Sequence, residues 1–514
     1  MEDARIKRGA PAAAITQPRL RERRPRDRLC GGRLSLFISG IWLITLLGAA
    51  VRFVFLNHPM RYDEAYNYLH FASQSPGHIA THYTPNNHIL HTLLVRFASE
   101  VFGTTPAALR LPAYAAGVLL IPATAWLAWS LSRRAEVALS AALAVCCSSP
   151  LIEYSANARG YSLLALLTVL TAASLCKTLA SPEKRFFWVL CGLLGAAGIY
   201  TVPVMVMPLL GLGAVILVYG LCRPVGSPAR RNVLWGLALG ATVCVLLAGL
   251  LYLPVLVVSG VRAFAESERM AYDILGRQTE SLGVVLGQAW GLWMRHVPAL
   301  AVAVLALGAV AFVVKVVLSS SAERWMPPAI VLGSIAIVTV LGAPLPARAW
   351  LFALPAFLVC TVLGLSELVP REPSTASRRA ISAAVTAILI IIPLLSLVNV
   401  LQAPYLCAEP KGLVEIEEVL EACRDFGAER CAVVAPYSPA TAYYMAQKNM
   451  PSLPLPSSPR AERVYIVADE NRGLSRLWEP GVDGFSAFGP PHLWRTLRQS
   501  MVYVAERTPR SALR

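Results

Sequence analysis

The 514-residue chain is 56% hydrophobic and only 15% charged, against about a quarter charged in an ordinary soluble domain. Apolar runs of about 20 residues, each long enough to cross a bilayer, recur along most of it, which excludes a soluble globular fold. The net charge of +16 does not indicate a nucleic-acid partner, because the basic residues gather in the leader and in short loops between apolar runs.

In chain order, residues 1–33 form a basic tail with Arg19, Arg21, Arg23, Arg24, Arg26 and Arg28 ahead of the first apolar run. Its Pro, Arg and Ala content predicts disorder, and its charge places it in the cytoplasm. The apolar stretch that follows is too long for a secretory signal. Eleven spans are expected, over 34–57, 108–132, 135–152, 160–180, 185–201, 203–222, 232–256, 298–318, 327–343, 347–369 and 380–401. With the N-terminus inside, the inner loops hold Arg133 and Arg134, then Lys184 and Arg185, then Arg223, Arg230 and Arg231, then Arg324, then Arg371, Arg378 and Arg379. All are short and basic, as the positive-inside rule requires. Pro203 divides 185–222 into two short spans, and merging them would turn the later basic loops outward.

The expected architecture is therefore an all-α polytopic domain over 34–403 in the plasma (inner) membrane, with long outer loops at 58–107 and 257–297. A small extracytoplasmic α/β domain follows over 404–514. There, Val414–Cys423 reads as an acidic amphipathic helix, and Cys431–Val434 and Val464–Val467 read as strands. Ser438–Gln447 reads as a helix opened by a Ser cap with Pro in its first turn. Cys407, Cys423 and Cys431 lie in this domain, where an oxidising compartment permits one disulfide.

The chemistry concentrates in the first outer loop. Asp63 and Glu64 follow the first span directly, and six of the eight histidines (His58, His70, His78, His82, His88 and His91) lie between residues 58 and 91. Carboxylates at a membrane surface are costly and mark function, and crowded titratable groups suit a catalytic or metal site. A helix over 62–72 puts Asp63, Tyr66, Asn67 and His70 on one face. Glu64, Tyr68 and Phe71 then form a neighbouring stripe facing the membrane interface. A merely solvated interfacial helix is the competing reading. Adjacent carboxylates repel, which would raise one pKa. His78 and His82 suit a metal ion if a helix begins at Gly77, and carboxylate-rich ligation would favour a hard divalent ion over zinc. A transporter or flippase would place ionisable groups at mid-membrane. Here the spans are nearly free of charge, with Arg52 and Lys315 near span ends, where they can snorkel.

Met60-Arg61-Tyr62-Asp63-Glu64-Ala65-Tyr66 resembles the first-loop motif of the GT-C glycosyltransferases. The likeness is greatest to the protein mannosyltransferase and aminoarabinose transferase superfamily, with its bacterial lipopolysaccharide-core branch. Further segments match in order: Phe71–Gly77, Pro85–His91, Ala108–Pro112, Ser155–Tyr161 and Ala347–Pro355. The family's double proline is missing, Asn157 replaces an acidic residue and Trp350 replaces a tyrosine. The resemblance, which covers the chain to about residue 370, implies a membrane enzyme that moves a sugar from a polyprenyl-phosphate carrier to an acceptor outside the cytoplasm. It implies Asp63 as the general base, with inversion at the anomeric carbon, and Glu64 as its support. Arg159, Arg348 and Arg61 would hold the donor phosphate, with Arg295 and His296 as further candidates. Asn87, His88, Tyr161 and His91 would contact sugar or acceptor. Glu64 and His88 are the candidate ligands should a divalent metal ion take part. The alternatives are a lipid or solute transporter and a non-catalytic relative that binds lipid-linked sugar.

Overall fold

The computed structural model describes residues 31–508 except 262–280, 320, 343–344, 369–375, 404–415, 435–438, 469–484, 486 and 497–500. The basic leader through residue 30, Cys407, residues 262–280 of the second outer loop and Asp469–Asn471 lie outside the described residues.

A helix, α1 (Gly31–Val54), leads into the first loop, which holds α2 (Tyr62–Asn67), α3 (Pro76–Thr81) and α4 (Ile89–Phe102). Next come α5 (Pro106–Ser132), the pair α6 (Ala135–Cys147) and α7 (Ser149–Ser155), α8 (Tyr161–Ala180), α9 (Arg185–Thr201), α10 (Val206–Leu221) and α11 (Pro228–Val258). The membrane domain ends with α12 (Leu282–Trp293), α13 (Ala299–Val317), α14 (Ala322–Leu341), α15 (Ala347–Ser366) and α16 (Ala376–Gln402).

Nine of these helices are long and apolar enough to cross a membrane, counted among the described residues. They coincide with nine of the expected spans. The other two expectations fall on elements of a different kind. Residues 135–152 lie in the pair α6–α7, which bends by 61°. Residues 185–201 form the apolar α9, shorter than a full span. The expected break at Pro203 is present: α9 stops at Thr201, and a 3-10 turn, Pro203–Met205, leads into α10. Pro cannot donate the amide that a continuous helix needs.

The buried centre of the bundle is formed by α5, α8 and α15, the last buried from Ala349 to Ser366. The crossing of α13 and α15 is close. A Cβ on Gly364 would lie 1.9 Å from the Gly308 carbonyl oxygen, so only glycine fits. Arg52 does not snorkel as expected. It is fully buried and donates to Ser155 Oγ at 3.1 Å and to the carbonyls of Gly48, Val145 and Cys146 at 3.1–3.2 Å. The bend after α6 leaves the Val145 and Cys146 carbonyls without helical partners, and Arg52 satisfies them, as an apolar interior requires.

The C-terminal region forms a four-stranded sheet in the order β1-β2-β4-β3. The strands are β1 (Cys431–Val434), β2 (Arg463–Ala468), β3 (His492–Thr496) and β4 (Met501–Glu506); β1 and β2 are parallel and the other pairings antiparallel. Two helices accompany it, α17 (Ile416–Phe426) and α18 (Pro439–Gln447). Ile416, Val419, Leu420 and Cys423, at one helical face, are all buried. The Cys423 and Cys431 thiols are buried neighbours, hydrogen-bonded to each other.

This small domain packs directly on the first loop. Met60, Ala65, Ala72, Val95 and Leu109 share one apolar cluster with Ile416, Leu420, Tyr443 and Tyr444. Tyr68 meets Tyr443 edge-on at 5.8 Å, so the expected interfacial stripe faces a protein surface instead of lipid headgroups.

Candidate active site

The loop takes its shape from the carboxylate pair. The Arg61 amide donates to Glu64 Oε2 at 3.0 Å, closing the first turn of α2. Arg110, in the first turns of α5, grips the same carboxylate with two prongs, Nε to Oε1 at 2.8 Å and Nη2 to Oε2 at 2.6 Å. The Ala158 amide adds a third anchor at 2.6 Å. The remaining Arg110 donors hold the carbonyls of Leu56, His58 and Pro59 at 2.6–3.0 Å. Glu64 is completely buried, and burial works against its charge, but Arg110 and the amides hold its pKa below the ordinary carboxylate value.

Asp63, one residue earlier, keeps part of its carboxylate open, with 18% of the side chain exposed. Its Oδ2 accepts from Arg348 Nη1 at 2.9 Å. Burial would raise its pKa, yet Arg159, Arg348 and Arg61 together lower it. The repulsion expected between the two carboxylates therefore raises neither pKa, because each has its own cations. After Asn67 the chain winds into a π-helical turn, Tyr68–Ala72, a distortion frequent at functional sites. The expected single polar face does not form. Asn67 is buried, donating to the Asn86 carbonyl at 2.8 Å, while the half-buried Tyr66 and exposed His70 rings meet at a tilt, 4.3 Å apart.

Arg159 arrives from the turn between α7 and α8. Both its terminal nitrogens lie 3.3 Å from Asn86 Oδ1, and one lies 3.5 Å from the Asp63 carbonyl. The Gly160 amide donates to His88 Nδ1 at 2.9 Å, which fixes the neutral His88 proton on Nε2. A Cβ at residue 160 would sit 3.0 Å from that same His88 nitrogen, so glycine permits the approach. Burial and then Arg159 push the His88 pKa well below its ordinary value. Tyr161 packs edge-on against His88 at 4.9 Å and hydrogen-bonds Arg348.

Asp63, Arg159, Arg348, Tyr161 and His88 thus come together from α2, the α7–α8 turn, the start of α15 and the loop before α4. Others of the expected set are elsewhere. Arg61 turns away to Glu153 at 3.1 Å, and Arg295 meets the other Glu153 oxygen at 2.6 Å. Asn87 spends its amide on the Ile79 and His82 carbonyls at 2.8–2.9 Å, pinning α3. His91 is sealed inside the loop core, where burial and Arg159 push its pKa down to about 3 despite the opposing Glu64. Sequence reasoning missed Asn86, Arg110 and Glu153. Arg110 was visible in the Ala108–Pro112 motif, and Glu153 as an acidic residue beside an apolar run.

The residues do not fit a metal ion. Guanidinium and amide donors occupy both Glu64 oxygens, His88 Nδ1 accepts from Gly160, and no three His, Cys, Asp or Glu side chains converge among the described residues. Ser75 caps α3 ahead of Gly77, yet His78 and His82 stack their rings at 3.9 Å instead of converging on a shared point.

The site instead suits an anion. Among the described residues, five guanidinium groups (Arg61, Arg110, Arg159, Arg295 and Arg348) meet three carboxylates (Asp63, Glu64 and Glu153). The Nε donors of Arg159 and Arg348 are buried without a hydrogen-bond partner, an unfavourable state for such groups unless a ligand completes them.

No protein-family model matches the sequence, and no curated protein matches it. Solved structures do. ArnT from Cupriavidus metallidurans bound to undecaprenyl phosphate aligns at a TM-score of 0.57 with 13% identity, over 93% of this chain and 98% of that one. Its apo state gives 0.56 and 14%, over 92% and 98%. The Archaeoglobus fulgidus oligosaccharyltransferase, in complex with Zn and sulfate, gives 0.53 and 13%, over 90% and 72%. With its long apolar helices and its small C-terminal sheet, this chain is an integral membrane protein that shares the fold of ArnT and of the Archaeoglobus fulgidus oligosaccharyltransferase.

Proposed function

We propose that the protein is a membrane glycosyltransferase that takes a sugar from a polyprenyl-phosphate donor and passes it to an acceptor outside the cytoplasm. One observation carries this reading: a partly open Asp63 carboxylate lies beside two arginines, Arg159 and Arg348, whose buried Nε donors are unfilled. The undecaprenyl phosphate bound to ArnT supports the choice of anion.

In this reading Arg159 and Arg348 grip the donor phosphate and stabilise the charge that grows on it as the glycosidic bond breaks. Asp63 accepts the proton of the acceptor hydroxyl or amine, and a single base with direct displacement inverts the anomeric centre. The Asp63–Arg348 ion pair gives the two events a common control. A phosphate that draws Arg348 toward itself loosens the pair and raises the Asp63 pKa toward a useful value. Arg61 acts through its field and its hold on Glu153. Glu64 is a positioning residue, and His88, neutral, packs against Tyr161. The N-terminus lies in the cytoplasm and the sheet domain outside, as the basic loops require.

The test is transfer by the purified full-length protein from a panel of radiolabelled polyprenyl-phosphate sugars. Transfer from one donor by wild type, lost in Asp63→Asn, supports the reading. Undiminished transfer by that variant removes Asp63 as base. Absence of transfer from every donor, with solute or lipid flux in proteoliposomes, would establish the transporter alternative.

A further inference from the structure

A polar cavity of about 610 Å³ opens at the far end of the bundle from Asp63. Its walls include Ser132 at the end of α5 and Arg134 just past it, Lys315 at the end of α13, Arg324 early in α14, Ser366 at the end of α15 and Glu367 just past it. The separation follows from α5. Arg110, which grips Glu64, and Ser132, in the cavity wall, are 22 residues apart on one helix, or about 33 Å at 1.5 Å per residue. That is about the thickness of the hydrocarbon core, so the two sites face opposite sides of the membrane.

The lining holds three cations against one carboxylate. Lys315 lies 3.0 Å from Glu367, and Arg324 also pairs with it. Arg134 is held in place by its donation to the Ser366 carbonyl at 3.1 Å and to Glu136 at 2.7 Å. With Glu136 on Arg134 and Glu367 shared by Lys315 and Arg324, the described residues around the cavity keep one positive charge in excess. Leu131, Leu318 and Leu363 complete the lining, and the neighbouring Val314 and Val317 on α13 and Leu318 just past it are exposed, Leu318 at 82%. A basic pocket with an apolar, lipid-facing edge matches a ligand that carries both an anionic head and hydrocarbon tails.

We propose that this cavity binds the phosphodiester headgroup of an anionic phospholipid, with Arg134, Lys315 and Arg324 around the phosphate and the acyl chains along the exposed face of α13. The shared chemistry, a phosphate among three cations, would also admit a free phosphate, and the apolar rim favours the lipid. This site is independent of the transfer reaction proposed above.

The experiment is native mass spectrometry of the delipidated full-length protein in detergent, titrated with phosphatidylglycerol, with phosphatidylcholine and inorganic phosphate as separate arms. Phosphatidylglycerol should bind in preference to phosphatidylcholine. Arg134→Ala and Lys315→Ala should each weaken it about fivefold, the effect of one cation near a lipid phosphate. Glu367→Gln should strengthen it, a change of opposite sign that general damage to the fold would not produce. Equal retention in wild type and all three variants, or equal retention of the two lipids, overturns the proposal. Displacement of phosphatidylglycerol by millimolar inorganic phosphate, with the same dependence on the variants, would assign the site to free phosphate and overturn the lipid.

Discussion

Arg110 makes the difference between two carboxylates that are neighbours in sequence. It takes both oxygens of Glu64 and leaves Asp63 to the cations across the site. The Asp63 carboxylate is partly open, so Asp63→Asn should lower the thermal midpoint less than Glu64→Gln does and lower transfer by about 10²–10⁴-fold. Glu64→Gln strands a buried guanidinium and should cost about 3–5 kcal/mol of stability, measured by thermal unfolding in detergent. Equal stability losses in the two variants would refute the division of labour. Glu64 also sets an acid limit. Its folded pKa lies below its unfolded value, so its stabilisation is complete above the unfolded value of about 4.3 and disappears as pH falls through the folded one. The thermal midpoint of wild type should fall in that acid window, and Glu64→Gln should lack this component of the fall. In the sequence, Asp63, Arg159 and Arg348 were legible because each sits in a motif. Their separation from Glu64 was not, because only the folded α5 shows which acid Arg110 reaches.

Among the elements, long apolar helices were the most legible, since hydropathy alone marks a segment that crosses lipid. The bent pair α6–α7 was not, because composition does not record direction and its break falls between two apolar stretches. That bend matters. It places Glu153 beside Arg61 and Arg295, and it lets the next turn deliver Arg159 and Gly160 to the first loop. Gly160 is the tightest point of this junction. Gly160→Ala would bring a methyl group to 2.8 Å from Thr201 Cγ2 and 3.0 Å from His88 Nδ1, an overpacking worth about 1–3 kcal/mol. Transfer should drop more than stability, as the His88–Arg159–Tyr161 cluster shifts. Transfer kinetics beside a thermal melt of the same sample would show it. In the C-terminal region, α17, α18 and the first two strands were readable from caps and β-rich runs. The strands at 492–496 and 501–506, amphipathic and mixed with charges, were not.

At the scale of the whole molecule, the sheet domain completes the first loop. Tyr444 Oη accepts from the Met60 amide at 2.8 Å, before α2. Tyr443 and Gln447 donate to the Thr104 carbonyl at 2.5–2.6 Å, past α4. One helix, α18, so holds both ends of the segment that carries Asp63. Tyr444→Phe, which leaves the Met60 amide unmet, should cost about 1–3 kcal/mol and speed hydrogen exchange across residues 58–72. Unchanged exchange there would dismiss the coupling. A feature of timing follows. The clasp joins residues near position 60 to residues near position 444, so during synthesis the loop emerges long before the helix that fastens it. A ribosome-bound or prematurely ended chain carries every arginine and carboxylate of the site but not its fastening. Such a chain should sit in the membrane without consuming donor, and only a finished polypeptide should become an active one.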